Sequence, residues 1–398
     1  MRYRVETVEI KDGDASWEHV LAHAQKNKIR PLCLCGPQGI EMYIAKVSGR
    51  HVIKRMPNTG GQHSPACESY EPPPELSGLG QVMGTAIQED PEEGGLTAIK
   101  LDFSLSKVAG RAKPVAGGSE TDSVKTDGNK LSLRGVLHYL WEEAGFNRWS
   151  PAMSGKRSWY VIRKHLIQAS ENKVTKGSAL GDLLYIPESF SPDKAQEITQ
   201  RRVARMSAAA ASHKGTRRLM IVVGEVKELS PSRYGYKVVF KHLPDCHFMM
   251  NEDLHKRLLR RFEVEIGLWD AVENSHLMAI GTFGVSAAGI PSLEEVALMV
   301  VTENWIPFES TFDKLVIDAM TLASRRFMRG LRYNLASSKP LAVLVASDTV
   351  PATAMYIVPP GATEEYQESL DTLMQESQLG QWLWSAGEKD MPELPPLS

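Results

Sequence analysis

Three of the four cysteines in this 398-residue chain, Cys33, Cys35 and Cys67, fall close together, and His63 stands four residues before the last of them. Thiolates and a neutral imidazole are the donors of a tetrahedral zinc site, and three sulfurs with one nitrogen leave no more than one unit of uncompensated charge. Cys33-Leu-Cys35 supplies one donor pair and His63-Ser-Pro-Ala-Cys67 the other. Residues four apart share one face of a helical turn, although Pro65 argues for a tight loop there. The residues predict one structural zinc ion held by Cys33, Cys35, His63 and Cys67. Unrelated thiols and redox chemistry are the alternatives that the spacing leaves open. With every donor supplied by protein, no coordination position is left for a substrate, so the expected role is structural.

Other chemistry-bearing residues form weaker patterns. Glu225-Val-Lys227 ends a strand-like run with the Glu-x-Lys spacing of metal-dependent nucleases, in which the acid holds a divalent ion and the lysine steadies the phosphate. A second acid on a neighbouring strand is missing from that pattern, since Asp193 precedes a helix. His242, Asp245, Cys246 and His247 invite a Cys/His nucleophile, but no third orienting residue stands at a recognisable spacing, so a loop is the plainer reading. No nucleotide-binding glycine loop, His-Glu-x-x-His or Gly-x-Ser-x-Gly motif occurs.

The elements that must position these groups follow from periodicity. Alternation predicts a strand over 3–10, and a helical pattern covers 17–25. A hairpin over 42–54 with Ser48-Gly49 as its turn would bring the two donor pairs together. Residues 109–130 read as a linker or long loop. Two helices follow at 131–145 and 156–170, the second with Trp159, Ile162, Leu166 and Ala169 on one stripe. Lys156, Arg157, Arg163 and Lys164 lie largely off that stripe, giving the pair helix-turn-helix character and candidate phosphate contacts. A core-forming hairpin with a solvated basic face would look the same. Arg201, Arg202 and Arg205 extend the basic set on a helix over 193–211. From 219 onward strands alternate with helices, which indicates an α/β or α+β region. The order near the end is a helix at 308–327, strands at 331–333, 341–346 and 354–358, a helix at 363–378 and a strand at 381–385.

Composition sets outer limits. A chain that is 42% hydrophobic has apolar material for two or three cores. No apolar run approaches the roughly 20 residues of a membrane span, and the first residues have no signal core, so a cytoplasmic protein without membrane contact is expected. The net charge of -2 conceals an asymmetry: residues 134–218 hold 15 Lys and Arg against 7 Asp and Glu, whereas residues 361–398 hold 1 Lys against 8 acids. A basic middle suits an anionic partner such as DNA; solvated helix faces with an acidic end are the bland alternative.

Arg30-Pro-Leu-Cys-Leu-Cys-Gly, Lys54-Arg-Met-Pro-Asn-Thr-Gly, Leu137-His-Tyr-Leu-Trp-Glu, Gly155-Lys-Arg-Ser-Trp159, Gly224-Glu-Val-Lys and Trp305-Ile-Pro-Phe-Glu-Ser310 together resemble a domain-of-unknown-function family of bacterial mobile elements. The resemblance covers most of the chain and implies a setting of plasmids and integrative elements, with protein partners of such a complex. The final helix-strand-strand-strand-helix-strand order also resembles the core of restriction-endonuclease-like nucleases, including Glu309 at the start of its first helix. That fold places an acid after a proline on its middle strand and Glu-x-Lys on the next. Here Pro340 is followed by Leu341, the second motif falls at Tyr356-Ile-Val358, and Asp348 is the only acid nearby. The resemblance therefore implies a degenerate, inactive scaffold.

The expected fold is α+β and multidomain. A zinc module over 1–70 precedes a loop-rich connector over 71–130 and a basic helical segment over 131–218. An α/β segment over 219–303, a nuclease-like domain over 304–386 and an acidic tail over 387–398 complete it. The expected function is that of a non-catalytic, zinc-containing DNA-binding or DNA-processing accessory protein. Two alternatives accompany it: a metal-dependent nuclease using Glu225 and Lys227 or Glu309 and Asp348, and a protein-interaction subunit that binds no nucleic acid.

Overall fold

The alternation at 3–10 forms a hairpin of β1 (Arg2–Val5) and β2 (Val8–Lys11), turned by Glu6 at a φ of 53°. Helix α1 (Trp17–Lys26) buries Leu21 and Ala24. β3 (Leu32–Cys33) pairs with β1, and β4 (Ile40–Val47) joins β3 to β5 (Arg50–Arg55). Ser48 and Gly49, between β4 and β5, have φ of 49° and 79°. Two positive φ values match the right-handed twist of the flanking strands, and glycine adopts the second without steric cost. The result is a five-stranded sheet in the order β2-β1-β3-β4-β5 with its own small core of Tyr3, Val5, Ile10, Leu21 and Met42. The structure, a computed structural model, describes residues 1–92, 95–108, 128–210 and 216–397; most of the linker expected at 109–130 lies outside them.

The middle of the chain wraps a single buried helix. β6 (Ile87–Asp90) and β7 (Leu96–Ile99) pair antiparallel, and β8 (Ser106–Val108) follows. In α2 (Leu133–Glu143) the Ser132 Oγ accepts from the Gly135 N–H at 3.0 Å, capping the first turn, and eight of the eleven residues are buried. After β9 (Arg148–Trp149) comes α3 (Trp159–Ser170), packed against α2. Because α2 is enclosed, α3 presents the solvent face of the pair. β10 (Lys173–Thr175) and β11 (Ser178–Ala179) extend the β6–β7 sheet. Then follow α4 (Leu180–Leu183), β12 (Leu184–Tyr185), α5 (Ala195–Met206) and β13 (Thr216–Arg218), which pairs back to β8.

His138, on α2, is buried and its Nδ1 accepts from the Tyr333 N–H at 2.9 Å. Burial, reinforced by the Arg134 charge, lowers its pKa to about 3. An unfolded imidazole titrates near 6.5, so below about pH 6.5 the unfolded state takes up a proton that the folded state refuses. This group's contribution is complete above pH 6.5 and should fall by up to about 1.4 kcal/mol per unit as pH drops toward 3. Urea denaturation from pH 7.5 to 5 should show this slope, and His138→Gln should remove that part of it; an identical slope in the variant would contradict the assignment.

From β14 (Met220–Ser232) onward five strands close on themselves. β14 pairs with β17 (His276–Val285) through residues 220–226 and with β15 (Gly235–Phe240) through 226–232, changing partner at a bulge between Val226 and Glu228. β15 pairs with β16 (Phe248–Met250), β16 meets β18 (Pro291–Val301) in parallel at Met249 and Ser292, and β18 returns antiparallel to β17. The bulge provides the bend that closure requires. Gly224 serves the same end, because a Cβ there would stand 2.6 Å from the Phe240 ring. Phe240, Phe248 and Phe283 fill the interior edge to face, with centroids 5.2 and 5.0 Å apart. Helices α6 (Glu252–Arg261) and α7 (Glu263–Ala271) link β16 to β17.

The last element group begins with α8 (Thr311–Leu322), capped by Ser310, followed by β19 (Phe327–Arg329), β20 (Leu344–Ala346) and β21 (Thr353–Val358) as an antiparallel meander. Helix α9 (Glu364–Glu376) then crosses over so that β22 (Gly380–Ser385) runs parallel to β21. β9 borders the other edge, giving β22-β21-β20-β19-β9. The strand expected at 331–333 is displaced to Phe327–Arg329: Tyr333 takes a φ of 47°, which breaks strand geometry, and its side chain is buried. The fold is thus mixed α and β, and among the described residues no helix is long and apolar enough to cross a membrane.

Candidate metal centre

β1 and β3 hold Tyr3 opposite Cys33, so the first thiol leaves the central strand of the sheet from a buried position, 1% exposed. Cys35 follows in the turn toward β4. His63 ends a short 3-10 turn over Gly60–Gln62, and the Cys67 N–H closes a further turn onto the Ser64 carbonyl at 2.8 Å, so Pro65 sits in a tight loop. One donor atom from each of the four residues lies within 4.8 Å of all the others. Cys33 Sγ and Cys67 Sγ are 3.8 Å apart, and His63 Nδ1 is 3.3 Å from Cys35 Sγ and 3.7 Å from Cys67 Sγ. A disulfide requires about 2.05 Å. A tetrahedron with metal–sulfur bonds of about 2.3 Å has edges of about 3.8 Å. The donors therefore fit a metal ion and not a bridge; all four cysteines are free.

Burial sets the protonation of these donors. Burial, with the neighbouring Cys67, pushes the Cys33 thiol up to about 12, and burial raises Cys67 as well. Burial and the Arg55 charge lower His63, leaving a neutral imidazole able to donate a lone pair. Such thiols stay protonated until a cation displaces the protons, which couples metal binding to folding. Cys67 also packs against two apolar groups, the N-terminal core and the cluster of Tyr70, Leu76 and Met328 beneath the C-terminal sheet. Past it the chain pairs with that region, the Gly78 N–H donating to the Leu331 carbonyl and the Ala342 N–H to that of Leu76. The centre thus pins the strap that joins the N-terminal sheet to the rest.

The remaining expected site residues scatter. Arg157 is turned inward, donating to the carbonyls of Phe146, Asn304, Gly145 and Arg148. Arg163 donates to the Ile186 carbonyl and Arg205 to those of Leu184 and Gly181. Arg201 forms a two-bond pair with Glu188, and Arg202 forms one with Asp245. Lys156 and Lys164 are exposed near the start and middle of α3. Glu309 is held by Arg332 at 2.7 Å, and Asp348 receives both Arg325 Nε and Nη2 at 3.0 and 2.8 Å.

Glu225 and Lys227 are separated by the bulge in β14, which leaves Lys227 exposed; the lysine on the Glu225 carboxylate is Lys241, at 2.9 Å. His276 Nδ1 lies 2.7 Å from the same oxygen and His242 Nε2 3.6 Å from the other. Burial would raise this carboxyl, but hydrogen bonds from His242, His276 and Lys241 hold it well below the usual range. His242 stacks on Trp159 at 5.0 Å and His276 on Trp305 at 4.2 Å. His276 and Lys241 are too distant in sequence for spacing to have joined them to Glu225. Cys246, half-buried, has its thiol raised by burial, which removes the nucleophilic thiolate.

A cleft of about 980 Å³ opens between the N-terminal sheet and α2. Among its lining charges Glu71 pairs with Arg55 and with Arg148, the latter at 3.2 Å, and Lys54 lies 3.8 Å from Glu143.

The fold and the four-donor cluster define a mixed α and β protein with a closed candidate metal centre. The chain belongs to the family described as "Protein of unknown function (DUF1173)", which matches residues 3–387. No curated protein and no solved structure matches it.

Proposed function

We propose that this protein is a non-catalytic, zinc-containing DNA-binding or DNA-processing accessory protein of a bacterial mobile element. The observation that carries the non-catalytic part is the fate of the acids. In the α8-β19-β20-β21-α9-β22 unit, whose order we read as a degenerate restriction-endonuclease-like core, Glu309 and Asp348 are both bound by arginines. A carboxylate neutralised in this way does not hold a magnesium ion at a phosphate, and Leu341 and Tyr356 occupy the places of the missing acids. Zinc is the ion proposed for the centre, because three thiolates and one imidazole in a closed tetrahedron suit it best. DNA binding is supported by the basic excess over 134–218, with Lys156 and Lys164 exposed.

Filter binding of duplex and single-stranded DNA should give an affinity that falls at least about 10-fold between 50 and 200 mM salt. Plasmid DNA with Mg²⁺ or Mn²⁺ should remain uncut. Absence of binding at low salt would end the DNA reading and favour an interaction subunit that works through protein partners. A catalytic second reading rests on Glu225 with His242, His276 and Lys241, an arrangement able to orient two imidazoles for proton transfer. Cleavage lost in Glu225→Gln would favour it.

A further inference from the structure

The barrel has a specific connectivity. Three antiparallel strands, β14, β15 and β16, are followed by the α6–α7 link and then by β17 and β18. The fifth strand, β18, lies between the fourth and the third and is parallel to the third, while the fourth closes on the first. That is the connectivity of oligonucleotide-binding barrels, in which the second and third strands form the ligand face, flanked by the loops between strands one and two and between strands four and five.

The residues at those places have the matching chemistry. Between β14 and β15, Arg233 and Tyr234 form the turn; Tyr234 is 78% exposed, with the Arg233 guanidinium 5.2 Å from its ring centre. Val238, Phe248 and Met250 point into the core, so strand alternation puts Lys237 and Met249 on the outer face, where they are paired in register. Ser230 lies opposite Lys237 in the neighbouring strand. Between β17 and β18 the chain exposes Ala287, Ala288, Gly289 and Ile290. A cation for phosphate, an open tyrosine ring for a base and an apolar loop opposite are the parts of a single-strand platform. Stacking on Tyr234 needs a base whose face is free, which a duplex does not offer.

We infer that the β15–β16 face, with Arg233 and Tyr234 on one side and the 286–290 loop on the other, binds single-stranded nucleic acid. This rests on the DNA-binding reading and narrows it to the unpaired strand and to this surface. The test is fluorescence anisotropy of the full chain with a labelled 20-nucleotide oligo-dT and with a 20-base-pair duplex, at 50 mM salt. Oligo-dT should bind more tightly than duplex. Arg233→Ala with Tyr234→Ala should weaken it at least about 10-fold, and Tyr234→Phe should restore most of the stacking contribution. Both side chains are exposed, so an unchanged circular dichroism spectrum is expected and verifies folding. Duplex binding without oligo-dT binding, or oligo-dT binding indifferent to the double substitution, would overturn this inference and leave the broader DNA reading standing. Absence of binding to either probe would overturn both.

Discussion

Cys33→Ser should lose the bound metal and the order of the N-terminal sheet together. Elemental analysis of the purified wild type should find one zinc per chain, and the variant should retain well under half of that. The sheet has only a small core of its own, eight buried residues from Tyr3 to Ile44, so it has little apolar burial to replace the metal. Structural zinc in small modules contributes on the order of 10 kcal/mol at neutral pH. Proteolysis should therefore cut within 1–70 in Cys33→Ser and in chelator-treated wild type, while the barrel persists. Since Cys67 also touches the apolar cluster under the C-terminal sheet, the strap at 67–78 should become cleavable too. Cys246→Ser, outside the cluster, should keep the zinc. Full zinc content in Cys33→Ser would refute the centre.

The second large effect concerns Arg329, 2% exposed, which binds Asp313 at 2.6 Å and donates to the carbonyls of Pro307, Gly330 and Val343. Arg329→Met retains length and removes the charge, leaving the Asp313 carboxylate without its cation, held by the Glu309 N–H and the Ser310 hydroxyl, and taking a donor from each of three carbonyls. Breaking one side of such a buried pair costs about 3–5 kcal/mol. Urea unfolding should show the loss, and adding Asp313→Asn should recover part of it, because the unpaired charge goes with the substitution. A single variant within about 1 kcal/mol of wild type would mean that the pair is not buried as described.

Some of this was legible beforehand because it is local. Ser48-Gly49 allows a tight hairpin turn and little else, and the β4–β5 hairpin forms around it. The helices expected over 131–145 and 308–327 form in shorter spans, Leu133–Glu143 and Thr311–Leu322, which Ser132 and Ser310 cap. The final helix and strands lie near their expected places because Thr363 caps α9 and apolar runs mark β20 to β22. Charge was the poor guide. A basic residue off an apolar stripe looks solvated in sequence, yet Arg157 faces four backbone carbonyls, which only the chain around 145–148 and 304 could supply. Arginine carries five donors in a planar fork and suits this internal use as well as it suits phosphate.

What the sequence determined by itself was the donor set. Thiol and imidazole chemistry is so particular that Cys33, Cys35, His63 and Cys67 could be grouped from type and spacing alone, and the folded chain brings those four together. Only the tertiary structure decided which partner each charged group meets and how the strands close. Glu225 takes Lys241, 16 residues on, and His276, 51 residues on, in place of the adjacent Lys227. β14 bends at its bulge to pair with both β15 and β17. Such pairings depend on the free energy of the assembled core, to which distant residues contribute together, and no short stretch of sequence contains that information.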